Sequence, residues 1–280
     1  MLTRVIFNQK GGVGKSSIAV NLAAMSAHQG LRTLLIDLDP QCNATQYIIG
    51  DAATDIHPAH ITEPNIENFF SQTLQATSSP MPMMFAFPFS GMTGSRNQEL
   101  EHCIHTTRFD NLSLIPASPM LADILQPLES KHKIYKLKDG LNLLSQQFDR
   151  VYIDTPPAFN FFTLSALIAA DRVIVPFDCD IFSKRALQTL VQNILETRQD
   201  HNSDLLIEGI IVNQFDPRAN LPKEVVQTLV NEGYPVYETK LSPSIIMKQS
   251  HHQSLPLIYL DAKHKLTQQY AALYQEIESR

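Results

Sequence analysis

Short apolar runs alternate with amphipathic stretches along most of this chain. Val5-Ile6 leads into a glycine-rich turn, after which Ile18, Leu22, Ala23 and Met25 recur at helical spacing until Gly30 stops the pattern. Thr33 to Leu38 is apolar almost throughout, as expected of a strand buried on both faces. Leu112–Pro116, Val151–Asp154, Arg172–Pro176 and Leu205–Val212 predict further strands, and Val236-Tyr237 a last short one. Helices are predicted from about Pro116 through Leu128, over Leu137–Gln147, Lys184–Thr197 and Lys223–Asn231, and at the C-terminus over Leu266–Ile277. In the last, Leu266, Tyr270, Leu273, Tyr274 and Ile277 share one face, which is expected to pack on the core. Strand–helix alternation predicts an α/β fold, a single doubly wound and mostly parallel sheet flanked by helices. Its ligands would bind at the carboxyl ends of the strands.

The rhythm is lost from Gly50 to about Asn111, so the expectation is a single domain over 1–280 with an irregular insert around 50–111. Within it, Pro80–Gly94 is rich in Pro, Met and Phe, which suits a disordered insert, a flap over the core or an exposed partner-binding patch alike. The 280 residues are 44% hydrophobic and 18% charged, as in soluble globular proteins. No apolar run approaches the roughly 20 residues of a membrane span. Met1 to Phe7 runs straight into the first strand, unlike a signal peptide. Three widely spaced cysteines (Cys42, Cys103, Cys179) fit a reducing cytosol better than a disulfide framework. A net charge of −6 leaves any contact with DNA to a local basic patch.

The chemistry concentrates in Lys10-Gly11-Gly12-Val13-Gly14-Lys15-Ser16-Ser17, between the first strand and the first helix. Glycines let backbone N–H groups converge on an anion, and the helix start adds its positive dipole end. Lys15 is placed to reach β- and γ-phosphates, and Ser16 to bind Mg²⁺. The common loop G-x-x-x-x-G-K-[ST] would put glycine at position 9, where this chain has Gln9 followed by a second lysine, Lys10.

Acids end two of the predicted strands: Asp37, with Asp39 just beyond it, and Asp154. Asp154 is assigned to Mg²⁺, directly or through water, with Asp37 behind it. Asp39 opens a D-P-Q segment and could orient an attacking water. Turn capping before Pro40 is the competing role for Asp37 and, less so, for Asp39. Asn213, at the end of another apolar run, offers the donor and acceptor that an adenine edge requires, or forms a strand-end turn. The histidine pairs (His57/His60, His102/His105, His251/His252) lack supporting cysteines or acids at metal-ligand spacing.

K-G-G-V-G-K-S-S (Lys10–Ser17), L-I-D-L-D-P-Q-C-N-A-T (Leu35–Thr45), Y-I-D-T-P-P (Tyr152–Pro157) and N-Q-F-D-P-R (Asn213–Arg218) together resemble the ParA/MinD family of deviant Walker A ATPases, most closely its ParA-like partitioning members. The resemblance implies slow, partner-stimulated hydrolysis of ATP with Mg²⁺, and a monomer that forms a sandwich homodimer when ATP binds. It makes Lys10 the lysine that crosses to the partner's phosphates, Lys15 the loop lysine, Ser16 the Mg²⁺ ligand, Asp39 the catalytic acid and Asp154–Pro157 a switch. It further implies a ParB-like or cargo-adaptor partner, nonspecific DNA binding by the ATP dimer, and a cytoplasmic, nucleoid-associated protein that positions DNA or a large protein cargo. The alternative is a nucleotide-gated scaffold, MinD-like and bound to protein or membrane, in which turnover is secondary.

Two departures bear on partners. DNA-binding members carry an I-P-R-like basic segment where this chain has Lys240-Leu241-Ser242-Pro243-Ser244-Ile245-Ile246-Met247-Lys248, without arginine. Arg218, Lys223, Lys240 and Lys248 are the candidates for a substitute patch. The C-terminus Y-Q-E-I-E-S-R is acidic rather than basic, which disfavours membrane attachment. With no helix-turn-helix segment ahead of the first strand, sequence-specific operator binding is not expected.

Overall fold

The computed structural model describes residues 1–50, 63–75, 99–131, 133–179 and 183–280. The apolar runs become β1 (Leu2–Ile6), β2 (Thr33–Asp37), β4 (Leu112–Ile115), β5 (Arg150–Asp154), β6 (Arg172–Asp178) and β7 (Leu206–Asn213), with a two-residue β3 (His105–Thr106) at the edge. They form one sheet in the order β3-β4-β2-β5-β1-β6-β7, parallel except for the β3–β4 pair. β1 is central, so the loop that follows it opens between the ends of β5 and β6.

Because both faces are covered, successive residues of each strand enter different cores. Val5, Leu34, Ile36, Val151 and Ile153 face a layer built from α3 (Ile66–Gln75), α5 (Leu121–Lys131), α6 (Lys136–Leu143), α7 (Phe161–Ala169) and α8 (Ser183–Asp200). Ile6, Leu35 and Tyr152 face the other, built from α1 (Lys15–His28), α2 (Asn43–Ile49), α10 (Ile245–Gln253), α11 (Leu257–Leu260) and α12 (Lys265–Ser279). The predicted stripe of α12 is buried as expected: Leu266, Tyr270, Leu273, Tyr274 and Ile277 all lie in this second core. A buried ion pair reinforces that packing, since Arg4 of β1 meets Glu208 at 2.9 Å and Glu278 of α12 at 2.7 Å.

Several elements differ from expectation. The segment Phe161–Ala169 is apolar on every side, so it shows no helical periodicity in sequence; it is the buried helix α7, capped by the Asn160 side chain accepting from the Phe162 and Thr163 amides. Helices α2 and α10 also went unanticipated, the first being seven residues long and the second mostly polar. Val236 makes a single bridge to Ile210 rather than a strand. In the stretch expected to be irregular, α3 places Ile66, Phe69 and Phe70 in the first core, with the Phe70 and Phe161 rings 5.5 Å apart. That stretch also holds α4 (Glu99–His102) and β3. Pro80–Gly94 and the pair His57/His60 lie outside the described residues. Among the described residues, no helix is long and apolar enough to cross a membrane.

Candidate active site

The loop between β1 and α1 turns on two left-handed glycines, Gly12 (φ 77°) and Gly14 (φ 90°), the latter being the N-cap of α1. Gly14 has a second reason to lack a side chain, because a Cβ there would stand 2.4 Å from the Asn213 amide nitrogen. That nitrogen donates to the Val13 carbonyl at 2.9 Å, so the end of β7 clamps the loop from behind. Asn8 adds a second clamp: its Nδ2 donates to the Pro176 carbonyl (2.6 Å) and its Oδ1 accepts from the Lys10 amide (2.9 Å). The backbone N–H groups are thus held ready for an anion rather than ordered by it.

The two lysines of the loop part company. Lys15 is buried, and its ammonium donates to the Lys10 carbonyl at 3.2 Å. Burial pulls its pKa below the ordinary lysine value, opposed by the charges of Asp154 and Asp39. Lys10 stays one-third exposed and pairs with Asp178, at the end of β6, at 3.2 Å.

Asp37 and Asp154 stand opposite each other at the ends of β2 and β5, both completely buried. Asp37 is saturated. Its Oδ1 accepts from the Asp39 amide (3.0 Å), and its Oδ2 from the Thr45 amide and hydroxyl, both at 2.8 Å. Burial still pushes its pKa up to about 6, with those hydrogen bonds opposing. Neither oxygen of Asp154 makes a hydrogen bond of good geometry to the described residues. Its pKa is raised well above the carboxylate range, by burial first and the Asp37 charge second, and is eased by the nearby Ser16 hydroxyl. Asp39, also buried, is fixed in a turn: its Oδ1 accepts from the Gln41 amide at 3.0 Å and its carbonyl from Cys42 at 2.8 Å.

A buried carboxylate with two unfilled acceptors beside a serine hydroxyl suits a hard, oxygen-seeking cation. A glycine-lined cradle with a buried ammonium suits a polyphosphate. The residues present therefore fit a magnesium nucleotide: Ser16 and Asp154 could hold the metal and Gly11–Ser17 the phosphates. Two cavities open beside the loop. One, of about 470 Å³, is lined by Lys15, Ser16, Asp39 and Gln41; the other, of about 520 Å³, by Asn213, Ser244, Lys248 and Tyr270.

Sequence reasoning missed Thr45, which holds Asp37, and His251, whose Nε2 lies 2.9 Å from the Ser17 hydroxyl. Thr45 closes the Leu35–Thr45 motif, but nothing in that motif gives it a role, and the sequence presents His251 only as half of a histidine pair. Of the candidate DNA contacts, Arg218 is bonded to Asp216 and the Lys240 ammonium to the carbonyls of Tyr237 and Glu238; Lys223 and Lys248 are exposed.

A family model described as an AAA domain matches residues 1–207. The chromosome partitioning protein ParA of Myxococcus xanthus is 31% identical over 279 residues, covering 98% of this chain and 87% of that protein. Among solved structures, cobyrinic acid a,c-diamide synthase from Mycobacterium smegmatis with bound ADP and magnesium is 25% identical (TM-score 0.70, 98% of this chain and 92% of that one). An ATP complex of McdA from Cyanothece shares the fold at 20% identity (TM-score 0.76, 100% of this chain and 96% of that one).

Proposed function

Because the chain belongs to the ParA/MinD family of ATPases, with ATP and Mg²⁺ as its cofactors, we propose that it is a dimerising switch that partitions or positions DNA or a large protein cargo. The division of labour between the two loop lysines carries this reading. Lys15 lies inside the cradle, near Asp39 and Asp154, where it serves its own subunit's phosphates. Lys10, one-third exposed, pairs with Asp178 and does not line the cavity of its own Lys15 and Ser16. A partly solvated pair of that kind contributes on the order of 1 kcal/mol, little enough for the phosphates of a second copy to draw Lys10 away from Asp178. A cation delivered that way stabilises charge only when two subunits close together, which ties hydrolysis to assembly.

In this reading Asp39 would orient the attacking water from a fixed turn, and Asp154 with Ser16 would hold the metal, which would supply positive charge beside the phosphates. Asn213 supports the loop and stands at the wall of the cavity where a base would sit. A ParB-like or cargo-bound partner would stimulate slow turnover. DNA would be held nonspecifically in the ATP state, through Lys223, Lys248 and neighbours.

The test is the Lys10→Ala variant with a non-hydrolysable ATP analogue and magnesium. Light scattering after size exclusion should show the wild type as a dimer and the variant as a monomer. Equilibrium binding of the analogue by the isolated variant should stay within about threefold of the wild-type monomer's. A variant that dimerises normally would sink the cross-subunit role.

A further inference from the structure

The two cavities beside the loop share one wall. Four residues border both: Gly12, Gly14, Ser17 and His251. In a triphosphate cradle the loop amides span the α- and β-phosphates while the lysine takes the β and γ. The cavity with Lys15, Ser16 and Asp39 is therefore the metal end, and the one with Asn213 the nucleoside end. The α-phosphate joins them at the shared wall.

His251 is held at that wall. Its Nε2 lies 2.9 Å from the Ser17 hydroxyl, and its ring stands edge-on to Tyr47 with centroids 4.5 Å apart. Tyr47 is itself fixed, its hydroxyl accepting from Asn21 Nδ2 at 3.1 Å and bonding to Ser250. One edge of the imidazole stays exposed to the cavities while its packed side keeps the pKa below the ordinary histidine value, so the ring meets a ligand neutral. The titratable and charged groups around it are Lys248 and His252 on its own helix, Lys15 and Asp39 across the metal-end cavity, Tyr270 across the other, and Tyr47 beneath.

Building on the ATP reading of the site, we propose that His251 is a ligand of the nucleotide α-phosphate, donating from Nε2 to a phosphate oxygen in place of its contact with Ser17. In the bound state the imidazole takes up a proton from solvent to become a charged donor, and Ser17 is released to make its own contact. This places a nucleotide ligand on α10, a helix outside every motif that defines the loop.

Calorimetric titration of the full chain with a non-hydrolysable ATP analogue tests this. Excess magnesium keeps the triphosphate itself deprotonated. Runs near pH 6.5 and near pH 8, each in two buffers of unlike ionisation enthalpy, report proton uptake. His251→Gln keeps an N–H donor that does not titrate. Relative to it, the wild type should take up more protons on binding and lose roughly three- to tenfold more affinity at the higher pH, because protons displaced from Asp154 are common to both proteins and cancel in the difference. His251→Ala should bind about tenfold more weakly than wild type at the lower pH. Wild-type proton uptake and pH dependence in His251→Gln, or wild-type affinity in His251→Ala, would overturn the proposal while leaving the ATP site standing. A wild type that binds no nucleotide would overturn both.

Discussion

Asp37 and Asp154 are register partners on neighbouring strands, equally buried and of the same residue type, yet their surroundings are opposite. Asp37 receives three hydrogen bonds from Asp39 and Thr45, whereas the Asp154 oxygens receive none of good geometry from the described residues. A saturated buried carboxylate holds chain together. An unsaturated one is a cost the fold bears for a ligand. The comparison assigns Asp37 to architecture, where it ties the Asp39 turn to α2, and leaves Asp154 as the stronger candidate for metal.

The largest effect should come from Asp154→Asn. ATP hydrolysis should fall by about a hundredfold or more, since a neutral amide holds magnesium poorly. Unfolding by urea without nucleotide should show a stability equal to or above wild type, because the change removes a buried acid whose ionisation the fold opposes. A variant that unfolds easily would show that Asp154 is a structural acid after all.

Asp37→Asn should do the reverse. Either orientation of the amide turns an NH₂ against an existing donor, the Asp39 amide or the paired donors of Thr45. The expected cost is about 1–3 kcal/mol in urea unfolding, with nucleotide binding reduced only as far as the Asp39 turn loosens. Equal stability in the two Asn variants would erase the distinction drawn above.

That distinction was invisible in the sequence, although much else was legible. The sheet could be read because both-face burial forces apolar runs, and the loop because only glycines tolerate its backbone. Both acids simply end apolar runs, so nothing local separates them. What does is Thr45, eight residues past Asp37, which α2 carries back to the strand end. Asn213 suits an adenine edge by its residue type and its place at a strand end, whereas its amide on Val13 depends on how β7 meets the loop. His251 is the extreme case, brought to Ser17 from 234 positions away by the packing of α10. Short-range pattern reports elements and cradles; the partners that give a polar group its role come from the packing between them.

Protonation offers a finer probe of the same pair. Both carboxyls have folded pKa values above the unfolded one, Asp37 at about 6 and Asp154 well above the ordinary range. The native state then holds protons more tightly than the unfolded state, so the contribution of this pair to stability falls as pH rises. For Asp37 the fall spans about pH 4 to 6, and for Asp154 it continues higher. Urea unfolding of nucleotide-free protein across that range should show a shallower decline in Asp154→Asn than in wild type, because one titrating group is gone. Parallel curves would mean that Asp154 does not titrate in this range.

The smallest effect separates holding the turn from holding the charge. Thr45 Oγ1 donates to Asp37 and accepts from the Ala117 amide at 2.9 Å, bridging the end of β2 to the chain beyond β4. Thr45→Val keeps the shape and the backbone donor to Asp37 but leaves the Ala117 amide buried without its acceptor. A loss of about 1–2 kcal/mol in urea unfolding is expected, below that of Asp37→Asn at its upper range, because one of the three bonds to the carboxylate is removed instead of the charge that draws them all. If Asp37 serves the metal more than the architecture, Thr45→Val should lose only the part of that stability owed to the orphaned Ala117 amide and should weaken magnesium-dependent nucleotide binding as well. The two measurements on this one variant therefore decide which role the saturated acid plays.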